Sequence, residues 1–570
     1  MLRASMRARV AVWCLPALLF LALHGRALGY DFVWVDRAEI VAGTILRPPG
    51  HILAAFGEPL QRVEGFATAM LSQPYYRPLQ VVTASALAAS VGRSPRAFHA
   101  LSLALGAATA GLFAALALAL LRDPAAALLA GLLFAAHPGL LEIYVWVAGL
   151  SAALMGLCLI ASLDTGLRSL CAGTARARWG WGAASLATLA LGLLSKENAA
   201  ATPALLAALG LALWLRDEPG LRLPALASLV AAQLVLVAIH LLVLRPAVLG
   251  HSLTGAPPIG GSLVTQWQTS LAQWPSQMLW LFGPLHSNTS DAVRVVTSWG
   301  DPAVLTGLAL GLGSAVACVL LTWRGHVLAA AALAWIWIGF LPTSGLTPLL
   351  QARAERNLFL SIFGAVLLVA VALAALARTR ARRAAVVALG LLAVLALSQR
   401  TWARSPDWRS TEALFSRDVT NDPRHREGRV NWIVALAESS RFAEAKQQVD
   451  VLAAQRPEQE GWHSYLLDSN LRELLCLVNA QAGADADTLR RYPPHVLGRA
   501  EIWSEPGFHA CYAAALERMS RCEDALPIYA ALARGSRGAD AQRFAQGVAR
   551  CKAADTNRPP RSEAKPSEGR

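Results

Sequence analysis

The chain has 570 residues, of which 55% are hydrophobic and 15% charged, with a mean hydropathy of +0.43. That composition excludes an ordinary soluble protein. The net charge of +14 does not point to nucleic acid. Its arginines cluster in short loops between apolar runs, as cytoplasmic loops of membrane proteins require. Eight cysteines without a CxxC pair give no zinc motif.

Arg3, Arg7 and Arg9 precede the apolar run Val10–Leu28. Small residues near Ala27–Gly29 also fit a cleaved signal, but the many later spans favour an uncleaved first helix. Directly after it comes Tyr30-Asp-Phe-Val-Trp-Val-Asp-Arg-Ala-Glu39. Carboxylates at the mouth of a membrane helix are costly, so Asp31, Asp36 and Glu39 mark a candidate site. Gln80–Val91 reads as an interfacial helix, because counting it as a span would put the basic 168–178 loop outside.

Spans then follow at His99–Leu121, Pro124–Ala136, Ile143–Leu163, Trp181–Leu194, Ala199–Leu215 and Leu223–Leu244. After an external loop containing Trp267, Trp274 and Trp280, others follow at Ala303–Trp323, Val327–Leu341, Asn357–Ala377 and Ala384–Leu397. The total is about eleven, with each strongly basic short loop inside. The fold expected is all-α: a polytopic membrane helix bundle over 1–399, with large external loops 29–98 and 245–301, then a soluble helical domain over 400–554. In that second region Pro423 and Pro457 bracket a segment of about 34 residues, the tetratricopeptide period. A second match runs from Ala510 to Tyr529. Cys476, Cys511, Cys522 and Cys551 fall there and admit one or two disulfides or buried thiols. Residues 555–570 read as a disordered tail.

In chain order, Phe32-Val-Trp-Val-Asp-Arg-Ala-Glu-Ile40, Tyr76-Arg-Pro-Leu79, His137-Pro138 with Glu142, Leu194-Ser-Lys-Glu-Asn198 and Ala354-Glu-Arg-Asn-Leu358 together resemble GT-C-type integral-membrane glycosyltransferases. The likeness is to the branch that joins a transmembrane domain to tetratricopeptide repeats, the protein O-mannosyltransferase-like group. The resemblance implies an inverting transfer of a sugar from a polyprenyl-phosphate carrier to a hydroxyl, such as protein Ser or Thr, on the outer face. Two positions depart from the family pattern. Val35 stands where the family pairs acids, and Gly149-Leu-Ser-Ala152 stands where it carries Gly-Arg-x-Asp.

On that reading Asp36 is the general base and Glu39 its helper or alternative. Lys196, Arg353 and Arg356, with Arg77, are candidates for the carrier phosphate; pairing with Glu197 or Glu355 is the structural alternative. His137 and Glu142 could bind sugar hydroxyls, complete a divalent Mg or Mn site with Asp36, or only terminate helices. Trp34, Trp146 and Trp274 could stack on sugars or belong to the interfacial belt. The repeat domain would present a protein or peptide acceptor. A non-catalytic scaffold and a lipid-linked carrier transporter are the alternatives. The composition favours a bacterial inner membrane over an endoplasmic reticulum membrane, with the C-terminal domain extracytoplasmic.

Overall fold

In the computed structural model, residues 5–60, 75–250, 257–283, 288–290, 292–377, 379–455, 462–463, 468–493 and 505–556 are described. Pro457 and the tail after 556 lie outside them. The chain is helical, and among the described residues the only strands are Val293–Arg294 and Trp462–His463, paired antiparallel. It divides into two compact units, the first running to Gly428 and the second beginning at Arg429. The division therefore falls well past the change of composition near 399, because the polar helix Thr411–Asn421 packs with the first unit.

Helices of the first unit are α1 (Met6–His24), α2 (Pro78–Val91), α3 (Pro95–Leu121), α4 (Pro124–Ala136), the short α5 (Leu141–Tyr144), α6 (Leu150–Leu170), α7 (Ala175–Ser195) and α8 (Thr202–Trp214). They continue as α9 (Leu223–Ile239), the short α10 (Arg245–Leu249), α11 (Leu263–Phe282), α12 (Pro302–Trp323), α13 (Val327–Phe340), α14 (Phe359–Leu376), α15 (Arg380–Arg404) and α16 (Thr411–Asn421). Starts follow local chemistry: Asp123 accepts from the Ala125 and Ala126 amides ahead of α4, Asp301 caps Ala303, and each is followed by proline at the first helical position.

Seven helical stretches are long and apolar enough to cross a bilayer: Met6–Gly29, Pro95–Leu121, Val147–Leu170, Leu223–Leu249, Pro302–Trp323, Glu355–Leu376 and Arg382–Arg409. They mark a membrane protein. The bent pair Pro124–Ala136 and Pro138–Tyr144, with a 57° angle, would make an eighth. The segment expected to span from Ile143 instead becomes helical at Leu150, because residues 138–149 fold into three short turns.

Packing inside the bundle follows membrane rules, with small residues and hydrogen bonds at helix contacts. A Cβ at Gly364 would fall 2.7 Å from the Ile336 nitrogen and one at Gly339 would fall 2.8 Å from the Leu360 carbonyl carbon, so α13 and α14 meet backbone to backbone at these two glycines. Ser162 of α6, Ser185 of α7 and Gln233 of α9 form a buried hydrogen-bonded knot. Phe113, Phe134, Trp335 and Phe363 fill the centre, with Phe134 stacked on Phe363 at 4.5 Å.

The second unit contains the remainder of α17 (Arg426–Glu438), α18 (Phe442–Ala454), α19 (Asp468–Gln481), α20 (Asp485–Arg491), α21 (Pro506–Arg518), α22 (Cys522–Gly535) and α23 (Gly538–Thr556). Three of its helix-to-helix turns are built alike around a left-handed residue, Ser440, Gly483 and Ser520. The following amide bonds back to the helix in each: Arg441 to Leu436, Ala484 to Asn479 and Arg521 to Leu516, at 2.7–2.9 Å. A disulfide joins Cys476 to Cys511, and the thiols of Cys522 and Cys551 are neighbours.

Candidate functional site

The loop after α1 folds back into the bundle. Trp34 takes a left-handed conformation, φ 56°, costly for a bulky residue. That turn lays its indole on Trp146, with ring centroids 4.9 Å apart. Asp36 then begins a π-helical turn, Arg37–Val41. It is fully buried, and its carboxylate accepts from the amides of Ala148 (2.6 Å), Val33 (3.0 Å) and Val147 (3.4 Å). Burial outweighs those bonds and pushes its carboxyl up to about 7. Asp36 is thereby the clasp between the first loop and the 147–149 turn.

Glu39, on the next turn, faces elsewhere. It is 5% exposed, takes a hydrogen bond from Gln80 (3.4 Å) and lies within electrostatic reach of Arg77. Arg77 makes a bidentate pair with Glu197 at 2.8 and 3.2 Å and stacks on Tyr75, its guanidinium 4.1 Å from the ring centroid. That neighbour holds the Glu197 carboxyl down at about 2, against its burial.

Lys196 follows α7 directly. Among the described residues its ammonium has no hydrogen bond or ion pair. Burial and then the charge of Arg77 lower it to about 7, with Arg356 adding to them and the carboxylates of Glu197 and Glu142 opposing. Arg356 pairs with Glu142 through both its backbone amide (2.7 Å) and its guanidinium, and also bonds to Gln351 and the Thr289 carbonyl. Its guanidinium lies 5.9 Å from the Trp34 ring centre and 5.8 Å from that of Trp146.

The structure therefore links Glu39, Arg77, Glu142, Lys196 and Arg356 in one charged cluster, of which Arg77 and Arg356 act on Tyr75. Arg245, which also acts on Tyr75, joins it although no motif marks this residue. A π-helical turn, His240–Leu244, ends α9 and re-aims the chain. Arg245 is 6% exposed and acts electrostatically on Tyr75, and among the described residues it forms no hydrogen bond or ion pair. Tyr75, just ahead of the Tyr76-Arg-Pro-Leu79 motif, likewise carries no sequence signal of its own. A lone Arg at the end of an apolar run looks like an ordinary membrane boundary, so only folding could distinguish it.

His137 and Arg353 do not join the cluster. His137 is 1% exposed, accepting from the Gly139 amide at 3.1 Å and donating to the Leu281 carbonyl at 3.1 Å. Arg353 lines a separate cavity described below. A divalent ion shared by Asp36, His137 and Glu142 does not fit: backbone groups hold the first two and Arg356 holds the third. Among the described residues no three His, Cys, Asp or Glu side chains converge on a metal position. Trp274 packs with Trp337 and Phe340 and donates to the Ser344 carbonyl.

The arrangement presents fixed cations beside a carboxylate, which suits binding of an anionic group and proton removal next to it. Comparisons of the chain with models of known protein families and with curated proteins gave no match.

Proposed function

We propose that this chain is an inverting membrane glycosyltransferase that moves a sugar from a polyprenyl-phosphate carrier to an acceptor hydroxyl on the extracytoplasmic face. One observation carries the reading: Lys196 and Arg245, neither in a salt bridge among the described residues, share a cluster with paired Arg77 and Arg356. Cations withdrawn from water without a salt bridge are costly, and an arriving phosphate would relieve that cost while its charge develops on departure. Glu39 is the better placed base, because it faces Arg77 whereas the Asp36 oxygens are engaged by backbone amides. Asp36 then acts as a positioning residue.

The finer architecture belongs to the same proposal. About eleven crossings result when the shorter or less apolar α4, α7, α8 and α13 are counted with the seven long stretches. With the basic loops inside, the candidate cluster and the second unit fall outside. The repeated left-handed turns support a tetratricopeptide-like domain that recruits a protein acceptor, and the disulfide suits an oxidising compartment such as a bacterial periplasm.

Purified protein in nanodiscs, incubated with a polyprenyl-phosphate sugar and Ser/Thr peptides, tests the reading. Transfer that disappears in Glu39→Gln and Arg245→Gln supports it. A second reading, a non-catalytic scaffold, is favoured by the complete closure of Asp36; transfer absent from the wild type, together with copurification of an active partner, would establish that reading instead.

A further inference from the structure

A cavity of about 620 Å³ lies beside the cluster, lined by Trp280 on α11, Asn288, Arg353, and the turn Asn421-Asp-Pro-Arg424. Its volume lies in the range of small-ligand sites. Part of the lining is apolar and open: Leu279 is 70% exposed. Arg353 and Arg424 also line the cavity. Asp422 is turned toward its own chain, accepting from the Arg424 amide at 3.1 Å and its side chain at 3.2 Å. Asn421 donates to Asn288 at 3.0 Å, closing the cavity floor.

The turn is tied to the cluster on both flanks. Before it, Asp418 accepts from the Thr289 amide and hydroxyl at 3.0 and 2.7 Å, and the Thr289 carbonyl accepts from Arg356. After it, Ser290 bonds to His425 and Glu427, and Glu427 accepts from Gln351, the partner of Arg356. An occupant would therefore sit one hydrogen-bonded residue away from the guanidinium that holds Glu142.

We infer that this cavity binds the acceptor, and that it selects a peptide segment bearing a carboxylate near its reactive hydroxyl. Arg353 and Arg424 suit bidentate carboxylate contact, the paired asparagines suit peptide amides, and Trp280 offers an apolar wall. The inference rests on the transferase reading only for the role of acceptor; binding itself requires no donor.

Fluorescence anisotropy on the full chain in nanodiscs, without donor, tests it with a labelled Ser-containing peptide flanked by Glu and its Gln counterpart. The expected result is at least tenfold tighter binding of the acidic peptide, a loss of about tenfold in Arg424→Gln, and tighter binding in Asp422→Asn. Opposite responses in two neighbouring variants cannot come from misfolding. Equal affinity for the two peptides, or an acidic preference that Arg424→Gln leaves intact, overturns the inference. Charge-selective binding without transfer would overturn the transferase reading alone, and transfer to both peptides alike would overturn the selectivity alone.

Discussion

Replacing Asp36 with alanine separates a clasp from a catalytic base. In the native protein its carboxylate satisfies three buried amides, those of Val33, Val147 and Ala148. Each buried amide left without an acceptor costs about 1–3 kcal/mol, so the variant loses about 3–9 kcal/mol of local stability. An opposing contribution comes from the burial of the carboxylate. Its pKa rises from 3.8 to about 7 on folding, so the folded state binds the proton more tightly. Stability from this group is greatest below about 4, falls as pH rises, and levels off above about 7, a total change of about 4 kcal/mol. The alanine variant escapes that penalty, so its deficit at pH 5 exceeds its deficit at pH 8 by about 2–3 kcal/mol. Hydrogen–deuterium exchange, corrected for the intrinsic pH dependence, would read this as faster uptake at residues 33 and 147–148, with the larger contrast at pH 5. Unchanged protection at those amides in a variant that has lost transfer would refute the clasp and return Asp36 to the chemistry.

Other outcomes follow from the cluster and the second unit. Glu39→Gln should abolish transfer while leaving amide protection at 147–148 as in the wild type; equal transfer by this variant removes Glu39 as base. Lys196 is lowered to about 7, so affinity for a phosphate headgroup should fall as pH rises through 7, and Lys196→Gln should flatten that profile; a wild-type profile flat from pH 6 to 8 contradicts it. Arg245→Gln removes one charge-assisted contact of about 1.5–3 kcal/mol, a loss of about 10–100-fold in binding of a polyprenyl phosphate measured by calorimetry. Cys476→Ser with Cys511→Ser should destabilise the second unit by about 2–4 kcal/mol in denaturant melts monitored by exchange at α19 and α21; a midpoint unchanged from the wild type would count against a structural disulfide.

Much of this protein follows from its linear order of residues. Apolar runs of bilayer length must become helices, because no other open structure satisfies its backbone in lipid, and this alone dictates α1, α3, α9, α12, α14 and α15. Glu39 stands out by the same logic, since charge beside an apolar run is costly and asks for a reason, while Arg77, Glu142, Lys196 and Arg356 stand out through the motifs that carry the family resemblance. Five of the residues so selected, Glu39, Arg77, Glu142, Lys196 and Arg356, meet in the folded chain.

Tertiary structure alone decided which charges face one another. A helical turn separates Asp36 from Glu39, yet one points into backbone amides and the other toward Arg77, because the left-handed Trp34 sets the rotation of the turn. His137 met its second hydrogen-bond partner only when α11 brought the Leu281 carbonyl alongside. Arg245 became notable only because a π-helical turn aims it at Tyr75. Periodicity reports which face of a helix is apolar. It carries no information on where a break in that helix sends the next side chain, since that direction is fixed by the neighbours packed against it.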